Sequence, residues 1–152
     1  SLVLLDELGT GTDPEEGAEI LDALIKRYNE VGLLDDAQFA KARAGGLNRR
    51  GSSARAIRAK LAEKGVAKEV IDETLERLKD EDQDPELSAA VTLARKRRLG
   101  PFRVTDDRLE FKEKDMAILA RAGFNYSVAQ KIIAAETSDE LEEEVEKNMY
   151  GS

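Results

Sequence analysis

The chain has 152 residues, a formal net charge of −8, and neither cysteine nor histidine. It therefore lacks disulfides, a thiolate nucleophile, the usual general base and the commonest zinc ligands. No apolar run approaches the roughly 18 residues that a membrane span requires, and no signal-peptide pattern opens the chain. We expect a cytoplasmic binding protein that has no catalytic residues, metal or cofactor and does not contact membranes.

The composition also limits the kind of core that the chain can form. Aromatic residues make up only 5% of the sequence, whereas charged residues make up 37%. A core of Leu, Ile, Val and Ala suits helices that pack against one another beneath a wide solvated surface. The predicted fold class is therefore all-α.

The first five residues, Ser1–Leu5, form a short apolar run that precedes Asp6-Glu7 and a Gly/Thr stretch. This pattern is typical of a buried strand followed by a loop. No other segment is predicted to be a strand, so the run would lack a partner for its backbone groups. Three outcomes stay open: an extended packed segment, a helix, or pairing in a dimer, which would mean self-association through this segment.

The first helix is predicted to begin at Asp13-Pro14, because Asp is a good N-cap and Pro suits the first helical position. Gly32 is predicted to end it. Asp35 is predicted to begin the next helix, with Gln38 as its capping-box partner. Gly45-Gly46 should weaken the far end of that second helix. Apolar residues on one face of the first helix are Ala18, Leu21, Leu24, Ile25 and Tyr28.

Helices are predicted along most of the remaining chain as well. The first of them begins at Ser52 or Ser53 and stops at Gly65, the second lies around Val70–Leu78, and the third extends from Asp84-Pro85 to Gly100-Pro101. After a loop over 102–111, two helices are predicted over 112–122 and 127–135, and an acidic helix capped by Thr137 follows. Three aromatic residues beside turns, Phe39, Phe124 and Tyr126, are predicted to pack in the core.

A helix–glycine–helix pattern occurs twice in the chain. The segment Leu61–Val66 recurs as Leu119–Phe124, with a glycine at the fifth position of each copy. Glycine suits the left-handed position just past a helix end. The repetition predicts tandem three-helix units that bury each other's faces in an elongated array.

Positive charge is concentrated in two segments, whereas acids gather over 80–86 and 139–146. The candidate binding residues are Arg43, Arg49, Arg50, Arg55, Arg58 and Lys60 in the first segment, and Arg95, Lys96, Arg97, Arg98 and Arg103 in the second. Local charge governs the approach to a polyanion or an acidic protein face. Arg49 and Arg50 also lie beside a predicted helix N-terminus, whose free amides attract phosphate. Few aromatic residues lie among the arginines, which favours contact with phosphates over contact with bases.

Four strings resemble the RecX family of recombination regulators in their order and spacing. They are Tyr28–Ala40, Ala56–Val66, Asp84–Leu87 and Ala122–Tyr126, and the resemblance covers about residues 20–135. It implies tandem three-helix repeats in a regulator of DNA repair and recombination. It further implies a protein that binds the RecA recombinase filament on single-stranded DNA, contacts the DNA phosphates there, and inhibits the filament.

Residues 1–19 instead resemble the Walker B segment of MutS-family ATPases, in which Asp6 would hold magnesium and Glu7 the hydrolytic water. The chain has no G-x-x-x-x-G-K-[ST] loop to cradle phosphates, so we interpret this pair as vestigial. The junction suggests a fusion. The alternative function is therefore an engineered or recombined chimera that folds but retains no activity.

The predicted domains follow from these two resemblances. They are a MutS-like strand and loop over 1–19, a partial first RecX-like repeat over 20–50, a second three-helix repeat over 51–100, and a third repeat with an acidic C-terminal helix over 101–152.

Overall fold

The computed structural model describes residues 14–151, except the side chains of Pro14, Glu15, Leu33 and Leu34. The predicted strand Ser1–Leu5, the Asp6-Glu7 pair and the cap at Asp13 lie outside the described residues. The chain divides into two compact units, Ser1–Gln38 and Phe39–Ser152.

Every regular element in the described part is helical, which confirms the predicted all-α class. The elements are α1 (Pro14–Arg49), α2 (Ala54–Glu63), α3 (Lys68–Glu81), α4 (Pro85–Arg97), a 3₁₀ turn (Gly100–Phe102), α5 (Lys112–Arg121), α6 (Tyr126–Ala134) and α7 (Ser138–Tyr150).

Helix α1 continues through both places where the sequence predicts an interruption. The predicted end at Gly32 and the predicted new start at Asp35 are wrong, because one helix extends from Pro14 to Arg49. A glycine in a helix interior costs only about 1 kcal/mol relative to alanine, so it weakens a helix without ending it. A glycine ends a helix when it adopts the left-handed conformation just past the last turn, as Gly65 and Gly123 do, and Gly32 does not adopt it.

Most helix starts follow the predicted capping residues. Side-chain oxygens of Ser53, Asp84 and Thr137 accept backbone hydrogen bonds at the starts of α2, α4 and α7. Asn125 caps α6 in the same way, so this helix begins at Tyr126, one residue before the predicted start at Ser127. These caps satisfy amides that have no partner inside the helix, which explains why local sequence locates them.

The two copies of the helix–glycine pattern form the same turn. Gly65 has φ +84° and Gly123 has φ +99°, both in the left-handed region. The residue after each glycine donates its amide to the carbonyl four residues before the glycine, the bond expected of this helix ending. These bonds are Val66 N to Leu61 O at 3.1 Å and Phe124 N to Leu119 O at 3.2 Å.

Within the Phe39–Ser152 unit, buried apolar side chains form two clusters. The first apolar cluster joins the end of α1 with α2 and α3, and its members are Ala40, Ala44, Leu47, Ile57, Leu61, Val66 and Ile71. The second apolar cluster joins α4 to α7, and its members are Leu87, Ala89, Ala90, Val91, Ala94, Leu99, Leu119, Phe124, Ala129, Ile132, Ile133 and Leu141. The predicted domain boundaries at residues 50 and 100 fall inside these clusters, and they stay a prediction.

Only one of the three aromatic residues predicted to be buried lies in a core. Phe124 is buried, whereas Phe39 is 44% exposed and Tyr126 is 73% exposed. Phe39 immediately precedes Ala40, which is buried on α1, so its side chain points about 100° away around the helix. Tyr126 is the first residue of α6, one turn before Ala129, where the buried face of that helix begins.

The described part of the Ser1–Gln38 unit is the first stretch of α1. The apolar face predicted for this stretch is solvent-exposed. The large apolar side chains concerned are Ile20, Leu21, Leu24, Ile25, Tyr28 and Val31, which are between 38% and 80% exposed.

Candidate partner-binding surface

The loop between α1 and α2 brings the two basic segments together. Gly51 in this loop is buried with φ +100°, and a Cβ there would lie 3.1 Å from the backbone nitrogen of Leu93 in α4. This position therefore favours glycine for its conformation and for its close approach. Next to it, the Lys96 ammonium donates a hydrogen bond to the Arg50 carbonyl oxygen at 2.8 Å. Arg50 and Lys96 are thus neighbours despite their separation in sequence.

The same loop also rests on the turn between α5 and α6. The buried hydroxyl of Ser53 donates a hydrogen bond to the Ala122 carbonyl oxygen at 2.8 Å. A Cβ on Gly123 would lie only 2.4 Å from the Ser53 Oγ and 3.3 Å from the Arg55 Cβ. Arg55 therefore lies directly against this turn.

Four exposed cations surround the loop and its contact with α4. They are Arg50, Arg55, Lys96 and Arg97, which we call the loop-centred basic surface. Arg97 stands one turn beyond Leu93, on the side of α4 that meets the loop. Within the part of the chain that the structure describes, none of the four lies within 4.0 Å of a carboxylate oxygen. Their charge is available to a partner.

Other predicted binding residues are already paired. The Arg58 guanidinium lies 2.7 Å from the Asp72 carboxylate. Arg95 makes a two-pronged contact with Glu142 of α7, at 2.8 and 2.7 Å. With Arg103, which is paired as well, three of the eleven predicted cations have an acidic partner within the described residues.

Four more of the predicted binding residues lie in the Phe39–Ser152 unit, outside the set of four defined above. Arg43 is half-buried on α1 and Lys60 is exposed on α2, while Arg98 is exposed just past the end of α4. The Arg49 side chain lies back over Gly45, where a Cβ would be 3.2 Å from a guanidinium nitrogen. None of these four side chains has an ion pair among the described residues, and Arg49 and Arg98 directly adjoin Arg50 and Arg97 in sequence.

The N-terminus of α2 is not a free anion site, contrary to the prediction. Its Ala54 amide donates to the Glu86 carboxylate at 2.9 Å, and its Ala56 amide donates to the Ser53 hydroxyl at 3.1 Å. Burial raises the pKa of the Glu86 carboxyl above its usual value, with the negative charge of Asp84 adding to the effect and the hydrogen bond from Ala54 opposing it. An internal carboxylate therefore occupies the place where a phosphate was expected.

Arg103, predicted as a binding residue, instead forms an internal ion pair with a buried carboxylate. Its guanidinium donates to the buried carboxylate of Asp115 at 2.9 and 2.7 Å, and lies 4.3 Å from the Phe111 ring centre. Burial alone would raise the pKa of Asp115. The hydrogen bonds from Arg103 and the Gly100 amide, with the charges of Arg103 and Lys114, outweigh burial and lower that pKa. The second apolar cluster thus adjoins a buried ion pair.

A second arginine of the predicted 102–111 loop holds the end of α6. Arg108 donates to the carbonyl oxygens of Ile133 at 2.7 Å and Glu136 at 2.9 Å, and also to that of Ala135. Carbonyls at a helix C-terminus lack partners within the helix and carry partial negative charge, so a guanidinium stabilises them. Arg108 is therefore engaged internally.

Arg121 is an exposed cation that the sequence analysis did not select. It stands in the last turn of α5, next to the turn that Ser53 and Arg55 contact. The internal repeat could have indicated this residue, because Arg121 occupies the position that Glu63 holds in the first copy. An arginine in place of the glutamate adds positive charge on the α5 side of the loop.

Residues 14–151 hold neither a cluster of potential metal ligands nor a helix that could cross a membrane. No group of three or more Asp or Glu side chains there could hold a metal ion. None of the described helices is long and apolar enough to cross a membrane.

Helices joined by repeated glycine turns, with unpaired cations around one loop, define a helical-repeat protein with an exposed basic surface. A family profile described as "RecX, second three-helix domain" matches residues 35–75. Three relatives carry the name "Regulatory protein RecX". The Myxococcus xanthus protein is 40% identical over 81% of this chain and 65% of its own length. The Agrobacterium fabrum protein is 36% identical over 72% and 56%. The Mycolicibacterium vanbaalenii protein is 34% identical over 82% and 68%.

The chain belongs to the RecX family. It spans less than two thirds of the length of the Myxococcus and Agrobacterium proteins. No solved structure matches it. The comparisons support the predicted RecX resemblance. They give no support to the MutS-like Walker B segment or to a chimera. Asp6 and Glu7, the residues of that predicted segment, lie outside the described residues.

Proposed function

We propose that this chain binds a RecA-type recombinase filament on single-stranded DNA and inhibits it, with the loop-centred basic surface as a principal contact. We assign it a binding role without catalytic residues. One observation carries the proposal: the Lys96 ammonium holds the Arg50 carbonyl at 2.8 Å, so cations from two distant segments meet at one loop. Membership of the RecX family supports a regulatory role.

The chemistry of this surface suits phosphates and carboxylates. Arg50, Arg55, Lys96 and Arg97 are exposed and have no acidic partner among the described residues. Guanidinium groups bind phosphate and carboxylate oxygens through paired hydrogen bonds. No base-reading arrangement accompanies them, so the contact should depend on salt and little on DNA sequence.

The test is RecA ATP hydrolysis dependent on single-stranded DNA, with this chain added at fixed ratios. A double variant, Arg55→Glu with Arg97→Glu, reverses two free cations and leaves Lys96 to anchor the loop. We expect it to suppress hydrolysis about tenfold less effectively than the natural chain, since reversed charges at a complementary surface repel the partner.

The matched control is Lys68→Glu with Lys147→Glu. Both lysines are exposed, and neither pairs with a carboxylate in the described part of the chain. This control changes net charge equally and should retain suppression. Equal suppression by both double variants would contradict the proposed contact surface. No suppression by the natural, folded chain would contradict the proposed function and favour a folded protein without that activity.

A further inference from the structure

Two adjacent glycines lie near the C-terminal end of α1, and the backbone conformation requires neither of them. Gly45 and Gly46 continue the helix to Arg49, and neither is among the described glycines with positive φ. Alanine favours a helix interior more than glycine does, so both glycines lower the stability of α1. The property that distinguishes glycine here is the absence of a side chain.

Each missing side chain makes room for the arginine four residues further along the helix. A Cβ on Gly45 would lie 3.2 Å from the Arg49 Nη1, and a Cβ on Gly46 would lie 3.2 Å from the Arg50 Nη2. Long side chains in a helix lean back towards its N-terminus, over the residue four positions earlier. Optimal nonbonded contacts are roughly 3.5–4.0 Å long, so an alanine methyl at either position would displace the guanidinium that lies over it.

The Arg50 guanidinium is also held by a hydrogen bond to the same glycine. Its Nε donates to the Gly46 carbonyl oxygen at 3.2 Å, while Lys96 holds the Arg50 carbonyl oxygen at 2.8 Å. The backbone and the side chain of Arg50 are thus both fixed. No described carboxylate oxygen lies within 4.0 Å of Arg49 or Arg50, so their charge remains for a partner.

We propose that Gly45 and Gly46 are positioning residues, which let the Arg49 and Arg50 guanidinium groups lie back across α1 in the orientation that contacts the anionic groups of the partner. The inference rests on the proposed function and names two residues that act through basic side chains at its surface. An arginine that is already ordered loses less conformational entropy when a partner binds. Substituting alanine should therefore have opposite effects on stability and on binding.

The double variant Gly45→Ala with Gly46→Ala tests this expectation. Urea unfolding should show a more stable chain, because alanine has the higher helix propensity. Half-suppression of RecA ATP hydrolysis dependent on single-stranded DNA should nevertheless require about three to ten times more of the variant than of the natural chain. This is the effect of having to order one rotamer-rich side chain on binding. A purely structural role for the glycines predicts equal or better suppression.

Nuclear magnetic resonance of the arginine Nε–H groups tests the positioning without RecA or DNA. In the natural chain the Arg50 Nε–H should exchange with solvent more slowly than that of an unbonded arginine, because it donates to the Gly46 carbonyl. Gly46→Ala should remove this protection. Gly45→Ala is the matched control and should preserve it, since a Cβ there meets only Arg49. Equal protection of Arg50 in the natural chain and in Gly46→Ala would overturn the proposal.

A double-mutant cycle connects the positioning to inhibition. Gly46→Ala should weaken suppression in the natural chain but not in an Arg50→Ala background, where no guanidinium remains to be positioned. A loss of the same size in both backgrounds would overturn the proposal. If the natural chain suppresses hydrolysis and the double glycine variant suppresses it equally well, this inference fails while the proposed function stands. A natural chain that does not suppress hydrolysis contradicts the proposed function and this inference together.

Discussion

Each of the two apolar clusters in the Phe39–Ser152 unit contains the same type of glycine turn, but the two turns have different surroundings. A Cβ on Gly65, in the first apolar cluster, would meet nothing within 4 Å. A Cβ on Gly123, in the second, would collide with the Ser53 hydroxyl. The second cluster also adjoins the buried Asp115 carboxylate, whereas the first has the surface pair of Arg58 with Asp72. Repetition of sequence thus copies backbone geometry, but long-range contacts make the copies energetically unequal.

The largest expected effect tests the buried ion pair against the surface one. Asp115→Asn should lower the free energy of unfolding by about 3 kcal/mol, because the partly buried Arg103 guanidinium loses its buried partner. It keeps only the more distant Asp107 carboxylate, at 3.7 Å, as a counter-charge. Asp72→Asn removes an exposed pair and should cost at most about 1 kcal/mol. Urea unfolding monitored by circular dichroism measures both. Similar losses in the two variants would refute the distinction between the clusters.

The two turn glycines give the next largest contrast. Gly65→Ala should cost about 1–2 kcal/mol, the strain of a side chain in the left-handed region. Gly123→Ala carries the same strain and adds overpacking against Ser53, so we expect a total of about 2–5 kcal/mol. Introducing Gly123→Ala into a Ser53→Ala background should reduce its cost, because the nearest colliding atom is gone. Additive losses in that double-mutant cycle would show that the collision contributes nothing.

The smallest effect is a pH dependence with opposite signs at two carboxyls. The pKa of Asp115 is lower in the folded chain than the ordinary 3.8, so its stabilisation is present above that pH and is lost as pH falls through the folded pKa. The pKa of Glu86 is raised above the ordinary 4.5, so stability falls as pH rises from 4.5 through the folded pKa.

Unfolding free energies between roughly pH 3 and pH 7 separate these two carboxyls. Glu86→Gln should remove the loss of stability on the alkaline side, and Asp115→Asn should flatten the loss on the acid side. Unchanged slopes in both variants would contradict the assignment of the two carboxyls.

Local sequence predicted the helices after Gly51 well because their starts and ends depend on neighbouring residues. Ser53, Asp84 and Thr137 cap the helices expected of them, and both turn glycines adopt positive φ. The exceptions arise where a signal is weak or non-local. Gly32 only weakens a helix and does not end one.

The candidate surface was only partly predictable. Counting charge selected both basic segments, yet nothing in the sequence distinguishes free Arg97 from paired Arg95. The distinction depends on Glu142, which α7 brings within 2.7 Å of Arg95. Likewise, the acid that occupies the start of α2 is Glu86, on a different helix.

The sequence by itself determined the all-helical class, the capping residues and the repeated turn, because each depends on interactions within a few residues along the chain. The tertiary structure alone decided which cations stay free, which glycine is crowded and which carboxylate is buried. Those outcomes depend on side chains from distant segments meeting in space, where charge pairing and desolvation act over a few ångströms irrespective of sequence separation.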